Sequence, residues 1–349
     1  MAEKAPAASD KRHPPPNGVV RQLEHETLGL TPARLREMFE VMLLARAVDE
    51  RQWILNRQGR QAFVISCQGH EAAQVGSAAA LRPGLDIMTP YYRDLAAALA
   101  FGATPRDVML EALSRAGAPW SGGRQMPSHF GDPKLRILSG SSVVATQIVH
   151  AVGAALAAKV RGDGAVAITY FGEGATSEGG FHEALNIAAV WKLPVIFFCE
   201  NNGLAVSVSL QRQMPIQTVA DRAAAYDVPG LSVDGLDLLA VYETTSRAVE
   251  RALHGQGPTL IDAQVSRPTP HSSDDDHARY RTAEEIELAR RNDPIIRTAE
   301  SFRASGILTA ALDGEIKSRV RAAVEDALEH ALPAPAPDPS EATRHVFRE

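Results

Sequence analysis

Two apolar, β-rich runs stop abruptly at polar turns. Residues 165–171 (AVAITYF) end at Gly172-Glu173-Gly174, and residues 194–199 (PVIFFC) lead into Asn201-Asn202-Gly203. Between them Phe181, Leu185, Ala188, Ala189 and Val190 cluster on one side of a helical pattern that Ser177 is placed to cap. Runs without polar alternation belong to strands covered on both faces, and strand–helix–strand order joins such strands in parallel. The pattern therefore specifies an α/β fold, a parallel sheet with helices on both faces. In such sheets ligands bind at the carboxyl ends of the strands, where both polar turns lie.

Other segments fit the same plan. Thr31 can cap a helix with Met38, Val41, Met42 and Ala45 at helical spacing. Residues 69–80 read as an Ala-rich helix, 87–89 as a short strand and 259–265 as a third strand. Residues 146–160 place Ile148, Val149, Val152, Ala155, Leu156 and Val160 near a 3.6-residue period, which predicts a buried helix. Low-complexity sequence sits only at the ends. Residues 1–18 read as a disordered tail, and Pro spacing in 332–340 (LPAPAPDPS) predicts an extended stretch leading to Val346-Phe347. One domain is expected over residues 19–331.

Composition narrows the function classes. A 349-residue chain with 45% hydrophobic and 22% charged residues can bury a large core. A net charge of −6 argues against a nucleic-acid binder. No stretch approaches the roughly 18 apolar residues of a membrane span, and residues 1–18 lack the apolar segment of a secretory signal. Cys67 and Cys199 sit among small or apolar neighbours, so a reducing cytoplasm is expected rather than a disulfide framework.

Glu173 offers a carboxylate, and Asn202, 29 positions later, an amide oxygen from the end of the next strand. One carboxylate with neutral oxygens suits Mg²⁺, which shares its shell with substrate phosphates. The glycines let the backbone turn sharply and approach a bound group. Singly, each motif is weak, since a Gly-x-Gly after a strand is common and Asn-Asn-Gly is usually a turn. Joined in one strand–helix–strand unit, they resemble the thiamine-diphosphate motif, which runs from Gly-Asp-Gly to Asn-Asn, with Glu here in place of Asp.

Further stretches extend the resemblance: GRQMPSHFG at 123–131, SSVVATQ at 141–147, FGEGATSEG at 171–179, ENNGLAVS at 200–207 and HSSDDDHARYR at 271–281. Together they resemble the alpha subunit of the heterotetrameric, thiamine-diphosphate-dependent 2-oxo acid dehydrogenases, over about residues 30–293. The Arg-Gln-Met-Pro run, the Glu of the Gly-Glu-Gly turn and the His-Ser-x-x-Asp-Asp loop lean towards the branched-chain group.

The resemblance implies a parallel-sheet thiamine-diphosphate-binding fold and roles for particular residues. Tyr92 and Arg93 would contact the diphosphate, as would backbone N–H groups of Gly174 and Ala175. Glu173, Asn202 and the carbonyl of Leu204 would hold Mg²⁺; Leu204 stands where family members generally have Tyr. Ser142 and the backbone of Val144 would meet the aminopyrimidine. Ser141, Val143, Thr146 and Gln147 would form a K⁺ site, with Val143 where the resembling enzymes have Pro; an N-cap role for Ser141 or Ser142 is the competing reading. His271 would reach the diphosphate and the reacting centre as the acid–base group. Its acidic loop, Asp274-Asp275-Asp276, is expected to be exposed and to favour the imidazolium. Ser272 falls at the position phosphorylated in animal branched-chain enzymes. Glu200 stands where those enzymes have Arg and pyruvate-type members have Glu. His129 reads as a packed loop histidine.

In this family the glutamate that activates the cofactor comes from a beta subunit. The resemblance therefore implies a tetramer of two alpha and two beta subunits, with residues 332–349 as a tail contacting the beta subunit. Its substrate is a small 2-oxo acid, and the acyl group passes to a lipoyl-bearing transacylase core. Pyruvate or acetoin is the alternative substrate, to be decided by the pocket near Phe63, Ser66 and Gln125. A non-catalytic binding subunit is the alternative from another class. A nicotinamide-binding fold is disfavoured: no Gly-x-Gly-x-x-Gly opens a helix after a strand, and Gly162-Asp163-Gly164 precedes a strand as a loop.

Overall fold

The computed structural model describes residues 25–344. The expected tail at 1–18 and the Val346-Phe347 pair lie outside the described residues. Helix α1 (Pro32–Arg57) starts as the sequence predicts, with Arg34 N donating to Thr31 Oγ1 at 3.2 Å and Pro32 in the first turn. It buries Leu35, Met38, Phe39, Met42, Ala45 and Val48. Then follow α2 (Glu71–Ala79), β1 (Ile87–Thr89), α3 (Leu95–Ala100), α4 (Pro105–Ala112) and α5 (Thr146–Arg161). The central unit is β2 (Ala167–Gly172), α6 (Gly179–Val190) and β3 (Val195–Asn201). A small hairpin of β4 (Leu204–Ala205) and β5 (Val208–Ser209) leads through α7 (Leu210–Gln213) to β6 (Gly230–Asp234), α8 (Leu238–Leu253) and β7 (Thr259–Gln264). Helices α9 (Ala283–Arg291), α10 (Pro294–Ala304) and α11 (Ala310–Ala331) complete the chain.

The main sheet is parallel throughout, in the order β1-β2-β3-β7-β6. Side-chain parity divides its two faces. Ile168, Tyr170, Ile196, Phe198, Ile261 and Ala263 join one core with α1, α2, α8 and α11. Ala167, Phe171, Val195, Phe197, Cys199 and Leu260 join a second core with α5 and α6. Both cysteines are buried and free.

The structure departs from the sequence reading in four places. Strand β2 begins at Ala167, and β3 runs on to Asn201. Ser177 caps no helix: it closes the 3-10 turn Glu173–Ser177, and α6 starts behind Glu178 without a side-chain cap. In α5, Ile148, Val152 and Ala155 are buried, but Val149 and Val160 point outward. The Pro-rich stretch folds back on its own chain. Ala116 N donates to Pro335 O at 2.9 Å, Arg124 Nε donates to Glu341 O at 3.4 Å, and Pro339–Thr343 form a 3-10 turn.

Gly69 joins the two layers at the site end of the sheet. Its φ is +86°, and a Cβ there would lie 2.0 Å from Ser266 O. Gly69→Ala should therefore lower the unfolding free energy by about 2–4 kcal/mol, the sum of left-handed strain and forced displacement. Urea unfolding measures this; an unchanged midpoint would show that the 69/266 contact can open freely.

Candidate active site

Strands β2 and β3 pair in register, Phe171 with Cys199 and Gly172 with Glu200, so their carboxyl ends lie side by side. Glu173 and Asn202 follow directly on these ends. Glu173 is 1% exposed, and its Oε1 accepts from Gln213 Nε2 at 3.2 Å. Burial raises its pKa above the usual carboxylate value, so the site favours a cation beside it. Asn202 Oδ1 accepts from Leu204 N at 3.2 Å, and its Nδ2 donates to His70 Nε2 at 3.4 Å. The carbonyl of Leu204 accepts from Arg267 Nη1 at 3.4 Å. Glycine is required at 174 because a Cβ there would lie 2.8 Å from that of Ala205. That close approach seats the Leu204–Ala205 strand on the Glu173 turn.

Two guanidiniums border this ledge, each 2% exposed. Arg93 donates to Ser66 O at 2.5 Å and to His271 O at 3.3 Å, and its guanidinium lies 5.6 Å from the Tyr92 ring centroid. Arg267 donates to Val206 O at 2.8 Å and to the Tyr280 hydroxyl at 3.2 Å, while its buried Nε has no partner. Among the described residues neither makes a salt bridge. Burial, followed by repulsion from Arg93, brings the Arg267 pKa down to about 10. Two buried cations held by carbonyls, a hydroxyl and an imidazole nitrogen, with no carboxylate in salt-bridge contact, leave a site that favours an anion.

His271 lies half-buried, its ring edge-on to Tyr92 at 5.9 Å between centroids. Its pKa falls to about 4, first through burial, then through Arg93 and Arg267; Asp275 opposes this and loses. The expected imidazolium is thus overturned. Arg93 Nη2 lies 3.4 Å from His271 Nδ1, and a guanidinium only donates, so Nδ1 is the acceptor and Nε2 carries the proton. The loop is also less open than expected. Asp274 and Asp276 are exposed, but Asp275 accepts from His271 N at 2.7 Å and from the Tyr280 hydroxyl at 2.5 Å. Ser272 is buried, and Ser273 N donates to Val64 O at 2.8 Å.

The 141–147 segment forms a turn beside the 123–131 loop. His129 Nε2 and Ser142 Oγ lie 2.7 Å apart, so this histidine is buried but bonded to a candidate cofactor contact. Val143 and Val144 are exposed, and Ala175 is buried beside Gly174. Ser141 Oγ accepts from Val143 N at 3.1 Å, and Thr146 N donates to Val143 O at 3.4 Å. Gln147 instead turns under the sheet and donates to Tyr170 O at 3.0 Å. The N-cap reading for Ser141 and Ser142 fails, because the residue before α5 is Ala145, with φ +68° and no side-chain cap bond.

Sequence reasoning passed over His70, Gln213 and Arg267. Arg267 follows closely on the end of β7, so the strand-end rule could have found it. His70 and Gln213 carry no motif of their own. Glu200 is buried on the α2 side of the sheet, where its Oε2 accepts from Gln74 Nε2 at 3.1 Å and from the Tyr91 hydroxyl at 2.9 Å. Burial pushes its pKa up to about 7.

A family model described as dehydrogenase E1 component matches residues 39–340. The chain is 47% identical over 323 residues to a 2-oxoisovalerate dehydrogenase subunit alpha of Bacillus subtilis, covering 93% of this chain and 98% of that one. It is 37% identical over 329 residues to a 3-methyl-2-oxobutanoate dehydrogenase subunit alpha of Mycobacterium tuberculosis, covering 94% and 85% of the two chains. It is also 37% identical over 294 residues to a pyruvate dehydrogenase E1 component subunit alpha of Staphylococcus aureus, covering 84% and 76%.

An NMR titration of the His271 ring should give a midpoint near 4 rather than the ordinary 6.5. Between these values the unfolded chain binds more protons than the folded one. The contribution to stability is thus complete above about pH 6.5 and lost as pH falls towards 4. His271→Asn should flatten that slope. A midpoint near 6.5 would mean that neither burial nor the charges of Arg93 and Arg267 act on the ring as the structure places it.

Proposed function

Since the chain belongs to the dehydrogenase E1 component family, and is an alpha-type subunit of a thiamine-diphosphate-dependent 2-oxo acid dehydrogenase, we propose that it serves oxidative decarboxylation of branched-chain 2-oxo acids. The observation that carries the site reading is the pair of buried, unpaired guanidiniums, Arg93 and Arg267, beside the lone buried carboxylate of Glu173. Two cations and one carboxylate match a diphosphate bound with a divalent metal.

In this reading Arg93, Arg267 and Tyr92 hold the diphosphate, with the backbone N–H groups of Gly174 and Ala175. Glu173, Asn202 and the carbonyl of Leu204 would hold Mg²⁺, and that carbonyl also accepts from Arg267 Nη1. Ser142 and the backbone of Val144 meet the aminopyrimidine, with His129 orienting the Ser142 hydroxyl. Ser141, Val143 and Thr146 supply a K⁺ turn; Gln147 joins it through its Oε1, since its Nε2 is committed to Tyr170 O. The bound cofactor supplies an electron sink for loss of CO₂. His271, neutral with its proton on Nε2, would give a hydrogen bond from Nε2 to an oxygen at the reacting centre.

The activating carboxylate is supplied by a beta subunit, in a tetramer of two alpha and two beta chains that passes its acyl group to a lipoyl-bearing transacylase core in the cytoplasm. One domain spans residues 19–331, and residues 332–349 form a tail that contacts the beta subunit. Among the described residues no helix is long and apolar enough to cross a membrane.

The test is co-expression with a beta subunit of this family and assay of 2-oxoisovalerate and pyruvate turnover, with and without Mg²⁺-thiamine diphosphate. Cofactor-dependent turnover in the pair alone, faster with 2-oxoisovalerate, is expected. Faster turnover of pyruvate would move the substrate assignment, and turnover by this chain alone would refute the shared site. Glu173→Ala should weaken Mg²⁺-dependent cofactor binding by more than about tenfold, since removing even an indirect partner of a metal ligand commonly costs that much. Unchanged affinity would remove Glu173 from the metal shell.

A further inference from the structure

Gln74 lies at the centre of α2, fully buried, and is not among the residues assigned above to the cofactor. Its Nε2 lies 3.1 Å from Arg93 O and 3.1 Å from Glu200 Oε2, with Asp94 Oδ1 farther away at 3.5 Å. An amide nitrogen has two hydrogens, and two near acceptors use both. Its Oε1 accepts from Ala96 N at 3.0 Å. One side chain therefore grips the backbone on both sides of Asp94 and ties it to a carboxylate at the end of β3.

Tyr91 closes the same knot. Its hydroxyl donates to Glu200 Oε2 at 2.9 Å, and its backbone N donates to Asp94 Oδ2 at 2.7 Å. The turn that carries Tyr92 and Arg93 thus has two anchors on Glu200, through Gln74 and through Tyr91. Glu200 is in turn two residues before Asn202 on a strand whose register with β2 is set. Packing alone does not require these polar groups. Leu or Met would fill the same volume between α2, α3 and β3, but would leave Ala96 N, Arg93 O and Glu200 Oε2 without the bonds that Gln74 supplies.

We propose that Gln74, acting through Glu200, is a positioning residue that holds the Tyr91–Asp94 turn against the end of β3, so that the Arg93 guanidinium and the Asn202 carboxamide keep one fixed separation. This rests on the reading of Arg93 and Asn202 as cofactor contacts. A diphosphate bridging a guanidinium and a metal demands that separation, and an error of about 1 Å in such a frame is enough to weaken binding substantially. Gln74 touches neither group's charged or ligating atoms. Its effect is on where they stand.

The test uses the complete tetramer. Gln74→Met keeps the volume and removes both polar atoms; Tyr91→Phe removes one bond to Glu200 and leaves the packing intact. Calorimetry measures Mg²⁺-thiamine diphosphate binding, thermal unfolding without cofactor measures the structural cost, and turnover at saturating cofactor measures the chemistry. The expected result is a dissociation constant raised about tenfold in Gln74→Met and less in Tyr91→Phe, with turnover at saturation kept within about twofold. In a Glu200→Met background the Gln74→Met effect on binding should shrink, because the acceptor through which Gln74 acts is already gone. A lowered melting temperature with unchanged cofactor affinity would reduce Gln74 to a packing residue and overturn the proposal. So would equal effects in the two backgrounds. Arg93→Met separates the levels: if it leaves cofactor binding unchanged, the site reading fails and the proposal with it; if it abolishes binding while Gln74→Met does nothing, only the proposal fails.

Discussion

The register between β2 and β3 is the constraint on which the site depends. Paired in parallel without offset, the two strands end level, and the turns after them place Glu173 and Asn202 on one ledge. A slip of one residue would exchange every side chain between the two faces. Glu200 would then enter the layer of Phe197, Cys199 and Phe181, away from Gln74 and Tyr91. The apolar parity of these strands does more than form two cores: it assigns each polar residue at the strand ends to one layer.

Charge is arranged there in a way that folding alone does not favour. Arg93, Arg267 and Glu173 are buried without ion pairs among the described residues, and an unpaired buried charge costs several kcal/mol. The guanidiniums are spread over the carbonyls of Ser66, His271, Leu204 and Val206 and the Tyr280 hydroxyl. Carbonyl dipoles answer such a charge only in part, so the residual preference for an anion persists. A ligand that satisfies it binds the folded state alone and stabilises it in proportion to the logarithm of its concentration. On the proposed assignment of Arg93 and Arg267 to the diphosphate, cofactor occupancy and stability would be linked through the same atoms, and the 271–281 loop, bonded to both arginines, would share in that link.

What was legible in the sequence follows from which signals are local. The runs at β2 and β3 are readable because strands buried on both faces need unbroken apolar residues. Strand β6, with the sequence GLSVD, lies half exposed at the sheet edge and leaves no such run. Val149 and Val160 obey the helical period yet face outward, because periodicity does not say which flank of an apolar stripe meets the core. Ser177 resembles a cap because it precedes a helical pattern, but the 3-10 turn that carries Glu173 occupies its place. His271 shows the limit most clearly. Its neighbours in the chain are acids, two of which point into solvent, while its neighbours in space are Arg93 and Arg267. Chain adjacency therefore gave the wrong sign for its charge.

Glu173 and Glu200 make the same point in the opposite sense. They are the same residue type, at the carboxyl ends of adjacent strands, and both are raised in pKa by burial. Glu173 starts a turn and takes amide donors from the Gln213 side chain and the Asn202 backbone, which leaves lone pairs for a cation. Glu200 is still within β3, so parity aims it at α2, where Gln74 and Tyr91 take up its Oε2. One residue of strand length therefore separates the carboxylate placed for the proposed metal-binding role from the one placed to hold a turn. An exchange of Asp for Glu at 173 would keep the first role with a shorter reach. At 200 it would withdraw the oxygen from both of its anchors, because the distances from Gln74 and Tyr91 are set by the packing of α2 on the sheet.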